Sequence, residues 1–308
     1  MRVFICEELI YSIEENIRKI KLIQSKMNIE NSDIIFFEAY FIYVYAIFES
    51  SYCEAMRRML NAFPEKISGE KQLPLTTKDI YDEYSQYEII TILVEKVIRN
   101  INKGSAHAII RETQSVCSIQ VEYDAAYLNS ISDYRNQITH ENTPPMQKNG
   151  LEHNQEKEIM ISKYKNFVKY LLEMLEQLSL RFKEKYGKYT KEKMLKSLWN
   201  TLFDTPLLNF EACVYIGDGF GGDSKKKVVR FHFDHFEKVS SSISSSEKFF
   251  LAAIFQQYNA SINERFFKFS DIPMLVSISD KKKIYTFLHI MTQYPYLFNN
   301  MNMTETFN

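Results

Sequence analysis

The stretch DYRNQITHENTPP, Asp133 to Pro145, places Arg135, Asn136 and His140 within six positions of one another. A histidine titrates near pH ~6.5 and can take up and give back a proton around neutrality. An arginine offers a planar, permanently charged fork that fits a phosphate. Together they are suited to acid–base work beside a developing negative charge. Geometry sets a condition on this pairing. Five helical steps of ~100° each would leave positions 135 and 140 about 140° apart, too far round to act on one group. Pro144 disfavours helical geometry at Thr143, so a helix through the motif is expected to end around His140, where a fraying turn lets the imidazole swing back.

A carboxylate is expected to complete the group. Ile35, Ala39, Ile42, Ala46, Glu49, Cys53, Met56 and Leu60 alternate steps of four and three, so Glu49 shares one helical stripe with apolar residues. A carboxylate placed there needs a cation to offset its loss of water, and Arg135 is the candidate. The alternatives are that Glu49 marks the solvent edge of the stripe, or pairs with Arg57 or Arg58.

The elements that must position these residues are helices. In 308 residues, 45% are hydrophobic and 14% aromatic, with only 8 glycines and 7 prolines, which suits a helix-rich globular chain. Helical periods run over about 32–62, 76–102, 105–117 and 123–139. A further long one carries Met160, Tyr164, Phe167, Leu171, Met174 and Leu178, Gly187 suits its C-cap, and Thr190 starts another helix. The helix over 32–62 is apolar on several faces in its first half, which calls for burial at the centre of a bundle or in a dimer interface. The expected fold is mainly α: a helical bundle over 1–203, then a smaller α+β unit over 204–308. In that unit FEACVYIGDGFGGDSKKKVVRFHF reads as a hairpin, Ser240 to Ser246 as a serine linker, SEKFFLAAIFQQYN as a helix, PMLVSIS as a strand and DKKKIYTFLHIMTQ as a final helix.

Other patterns carry less. Gly217, Gly219 and Gly222 match the spacing of a dinucleotide fingerprint, but a strand-like segment follows where a helix must open, so a hairpin loop is expected. His232, Asp234 and His235 are competent metal ligands, yet on a strand only the first two share a face. No metal site and no cofactor are expected. Four cysteines without Cys-x-x-Cys spacing read as reduced core residues. The net charge of −1 gives no general attraction to nucleic acid. Lys225 to Lys227 and Lys281 to Lys283 could touch phosphates locally but read more simply as solvated faces. The most apolar window, Ala39 to Phe48, holds ten residues between Glu38 and Glu49, against about 20 for a bilayer span, so a cytoplasmic protein with no membrane partner is expected.

YRNQITHEN, with IFESSYCEAMRRML ahead of it, resembles the HEPN family, whose signature is an arginine and a following polar residue, then a histidine, late in a helical bundle. The likeness covers residues 5 to 185. It implies a metal-independent endoribonuclease of toxin or antiviral-defence systems, acting on RNA as a homodimer with a composite site, alongside an antitoxin or defence-complex partner. On that likeness His140 is the general acid or base, Arg135 the phosphate-stabilising cation and Asn136 the residue that orients them. The chemistry is self-consistent, because RNA carries its own 2′-hydroxyl nucleophile. Asn142 stands where such toxins often carry a tyrosine that is modified to silence them, which puts that route in doubt. Two rival readings stand beside this one. The first is a catalytically inactive HEPN-like adaptor or sensor that dimerises and binds nucleotide or RNA; the second is an unrelated helical interaction protein.

Overall fold

The computed structural model describes residues 4–26, 34–67, 86–102, 104–140, 153–218, 227–258, 280–294 and 297–298. Two compact units divide the chain, Arg2–Tyr189 and Thr190–Asn308.

The first unit is helical. Its elements are α1 (Cys6–Lys26), α2 (Ile34–Ala62), α3 (Gln86–Asn102), α4 (Ala106–Cys117), α5 (Ala125–His140) and α6 (His153–Tyr186). Helix α2 packs against all five others. It gives the core Phe37, Phe41, Val44, Phe48, Tyr52, Met56 and Met59, and α6 answers with Tyr164, Phe167, Leu171, Met174 and Leu178, the stripe expected from the sequence. Phe41 stacks on Tyr164 at 5.6 Å and lies 5.6 Å from Phe167. The buried Tyr40 and Tyr52 hydroxyls donate to the Ile20 and Met174 carbonyls, so neither phenol is taken out of water without an acceptor. At the end of α6 a Cβ on Gly187 would come within 2.5 Å of the Lys183 carbonyl, which explains the glycine there.

The α2 stripe differs from its sequence reading. Cys53, Met56 and Leu60 are buried, but Ile35 is 64% exposed, Ala39 and Ala46 are exposed, and Ile42 and Glu49 are half-buried. The first half of α2 is apolar all round, so periodicity alone does not select a face. The side carrying Phe37, Phe41, Val44 and Phe48 has more area to bury and takes the core. Among the described residues α2 is also the one helix long and apolar enough to cross a membrane.

The second unit comprises α7 (Lys191–Leu202), α8 (Phe210–Cys213), β1 (Val214–Asp218), β2 (Lys227–Phe231), α9 (Phe233–Val239), α10 (Ser245–Tyr258) and α11 (Lys281–Gln293). The strands form an antiparallel pair in the register Val214↔Phe231 to Asp218↔Lys227. This is the expected hairpin, and the strand that follows the glycines rules out the dinucleotide geometry. Trp199 sits amid Phe203, Phe210, Phe231 and Phe236, with ring centroids 4.5–6.3 Å away. That cluster explains why the division falls before α7 and not near residue 204. The expected serine linker is a turn followed by a helix start: Ser244 and Glu247 exchange hydrogen bonds as a capping box for α10. The segment FHFDHF enters helix α9 at Phe233 and does not continue as strand. PMLVSIS lies outside the described residues.

Candidate functional site

Helix α5 turns Leu128, Ile131 and Ser132 into the core, and Arg135 continues that stripe one turn on, half-buried. Asp133 and Asn136 are exposed. The helix runs through His140, its last residue, so the backbone register sets position 140 about 140° from position 135 and one turn beyond Asn136. The His140 side chain lies outside the described residues.

Three of the four expected site residues come together. Arg135 Nη2 stands 3.7 Å from Glu49 Oε2, and Arg135 Nη1 donates to Asn136 Oδ1 at 3.0 Å. Thr139 Oγ1 donates to the Arg135 carbonyl at 2.9 Å. The alternative partners of Glu49 are engaged elsewhere: Arg57 pairs with Glu54 and Glu95, and Arg58 with Glu54 and Glu8.

Two further residues belong to this group and were not singled out in the sequence. The Arg135 guanidinium carbon lies 5.4 Å from the centre of the Tyr45 ring, within cation–π range. Tyr45 is buried, and its hydroxyl shares a hydrogen bond with Ser132 Oγ at 3.0 Å. Ser132 Oγ donates in turn to the Leu128 carbonyl. The signal available in the sequence was the four-residue spacing of Tyr45 and Glu49, which puts both on one side of α2.

Burial pushes the Glu49 carboxyl above its ordinary value, against the opposing pull of Arg135 and the Tyr45 hydroxyl. Burial also pushes the Tyr45 phenol up to about 12, so it stays protonated, although the Ser132 hydrogen bond works the other way. Arg135 keeps about a third of its side chain open to solvent. A guanidinium has five N–H donors, so the contacts described leave donors for a phosphate.

The remaining candidates find other roles. His235 Nε2 bonds the Leu207 carbonyl, and His232 precedes the first turn of α9. His107 shares a hydrogen bond with the Tyr123 hydroxyl. His289 is buried, and desolvation pushes it down to about 4. Among the described residues no three His, Cys, Asp or Glu side chains are placed to hold a metal ion. All four cysteines are buried free thiols. Lys283 pairs with Asp204 at the start of α11, which ties down one of the six lysines in the two runs.

No family model matches this chain, and neither a curated protein nor a solved structure is similar to it.

Proposed function

We propose that this protein is a metal-independent endoribonuclease effector of the toxin or antiviral-defence type, working in the cytoplasm as a homodimer. The observation that carries the reading is the half-open Arg135 guanidinium, oriented by Glu49, Asn136 and the Tyr45 ring, on a helix that ends at a histidine. In the reaction, His140 removes the proton of a 2′-hydroxyl, the oxygen attacks the adjacent phosphorus, and the 5′-oxygen leaves with a proton from a second histidine. Arg135 meets the charge on the phosphorane. The products are a 2′,3′-cyclic phosphate and a 5′-hydroxyl.

Two features favour a composite site. Positions 135 and 140 face different sides of α5, so a second copy is the natural source of the missing partner. The exposed apolar residues Ile35, Phe36, Ala39, Tyr43 and Ala46 lead along α2 to Glu49, and so to the Arg135 pair. A dimer through this face would cover them and bring two motifs into one cleft.

Purified protein incubated with RNA in EDTA is expected to leave cyclic phosphate ends, and His140→Ala is expected to abolish cleavage while sedimenting as the same dimer. RNA binding without cleavage would move the chain to the adaptor class, which its net charge of −1 neither favours nor forbids. Cleavage by His140→Ala, or activity lost with chelator, would reject the mechanism.

A further inference from the structure

We infer that Tyr215, lying over Gly217 on the outer face of the β1–β2 hairpin with Arg230 opposite it, is a stacking platform for an unpaired base of single-stranded RNA. The inference deepens the ribonuclease reading by naming a substrate contact outside the catalytic group, and it rests on that reading for the kind of strand that is bound.

The two faces of the hairpin differ. Val214, Val229 and Phe231 face inward and are buried, Phe231 beside Trp199. The other face carries Tyr215, Gly217, Val228 and Arg230, because residues two apart on a strand share a face and the register pairs Tyr215 with Arg230 and Gly217 with Val228. A tyrosine on an outer strand face can stand up into water or lie along the sheet. This one lies along it: a Cβ on Gly217 would come within 2.7 Å of Tyr215 Cε1 and 3.2 Å of Cζ and Oη. Only a residue without a side chain leaves room for the ring there. Gly217, the first glycine of the run that fails as a dinucleotide fingerprint, thus has a different task. The backbone beneath limits how the ring can turn, and Tyr215 is still 53% exposed. A ring held in this way offers an open π-face, and every nucleobase has one to match it.

Charge selects the occupant. Arg230 is exposed directly across from Tyr215, within a side chain's reach of a phosphate on the strand whose base the ring would hold. Over 214–231 the sequence sets four cations, Lys225, Lys226, Lys227 and Arg230, against two anions, Asp218 and Asp223, a local net charge of +2 in a chain whose total is −1. An exposed ring amid positive charge suits a polyanion with unpaired bases better than an apolar peptide. A duplex is the poorer ligand, because its bases already stack on one another.

The test uses the full-length protein and two fluorescein-labelled 2′-O-methyl RNA strands about 12 nucleotides long, one with bases and one with abasic sites, neither of which carries the nucleophile for cleavage. Affinity is read from fluorescence anisotropy. Tyr215→Ile keeps a strand-forming side chain and removes the ring; it should weaken binding of the strand with bases about tenfold and of the abasic strand less than about twofold. Tyr215→Phe should bind within about twofold of wild type, since stacking needs the ring and not the hydroxyl. Gly217→Ala, which displaces the ring, should weaken binding about fivefold. Arg230→Gln should act on both strands and lower the slope of log affinity against log salt by about one. Tyr285→Ala, which removes an exposed tyrosine of α11, should leave both affinities in place. Trp199 emission, from beside Phe231 of the same hairpin, checks that each variant keeps the second unit folded. Equal losses on the two strands in Tyr215→Ile, or no loss on either, overturn the inference, as does a wild type that binds neither strand. If the wild type binds through Tyr215 yet cuts no unmodified RNA, the ribonuclease reading fails and the platform stands.

Discussion

Two carboxylates withdrawn from solvent, one in each unit, are handled in opposite ways. Glu247, 7% exposed, accepts the Thr205 N–H at 3.0 Å on one oxygen and the Ser244 N–H and hydroxyl at 3.0 and 2.8 Å on the other. Two backbone N–H groups and the Ser244 hydroxyl hold it and fix a helix start. Glu49 leans instead on a guanidinium 3.7 Å away, a side-chain group that also has Asn136 as a partner. A carboxylate satisfied by the backbone has finished its task when the chain folds. One satisfied by an arginine that is a third exposed leaves that arginine able to trade part of its contact for an incoming anion. The difference between donor types separates a residue that builds the fold from one that equips a site.

Four experiments break or sharpen that contrast, and the largest effect belongs to the site. Arg135→Ala is expected to lower RNA cleavage by about 10²–10³-fold, as for removal of a preorganised cation or donor, with an unfolding midpoint near that of wild type. Arg135→Lys should recover little, for want of the planar fork. Next comes Glu247→Ala, which strands the Thr205 and Ser244 donors and removes the α10 cap; denaturant unfolding should show a loss of about 3 kcal/mol. Cleavage per folded molecule should be retained. Glu49→Gln reverses the pattern, costing about tenfold in cleavage but less than about 1 kcal/mol in stability, because the ion pair is partly solvated. A Glu49→Gln protein destabilised as much as Glu247→Ala would erase the distinction.

The smallest expected effect is a pH dependence. The folded-state pKa of Glu49 is raised, so folding takes up protons at this residue, and its ionised form is a cost to the folded state. Wild type should therefore gain stability relative to Glu49→Gln as pH falls through that raised value, and lose the gain as pH rises above it. Urea titrations of both proteins at about pH 7 and about pH 5 test the sign; the difference should stay below roughly 1 kcal/mol. A gain toward higher pH would mean that the pairing with Arg135 outweighs desolvation.

Much of the fold was legible because its signals are local. Thr190 accepts from the Lys193 N–H and Asp280 from the Lys282 and Lys283 N–H groups, so helix starts read correctly from short-range chemistry. The α6 stripe read correctly because its polar face contrasts with its apolar one. Where contrast vanished, so did legibility: α2 offers two apolar stripes, and only the packing of other helices decides which is inside. The segment from Ser240 looked like a linker by composition, although Ile243 is buried and Ser244 caps a helix. At the site, Glu49 and Arg135 could be paired on charge, since a buried acid needs a base. Tyr45 could not, because a tyrosine on an apolar helix reads as core, and its partner Ser132 lies 87 positions away.

The chain has one tryptophan, and Trp199 is enclosed by the aromatic cluster of the second unit with its indole N–H on the Leu208 carbonyl. Nature has thereby fitted this half alone with an optical gauge. Excitation at the red edge of the near-ultraviolet band passes over the tyrosines, so emission collected there follows the melting of residues 190–308 and is blind to the bundle. Circular dichroism in the far ultraviolet is dominated by the long helices of the first unit. The two signals, recorded on one unlabelled sample, resolve which unit unfolds first and assign every substitution above to the half it disturbs.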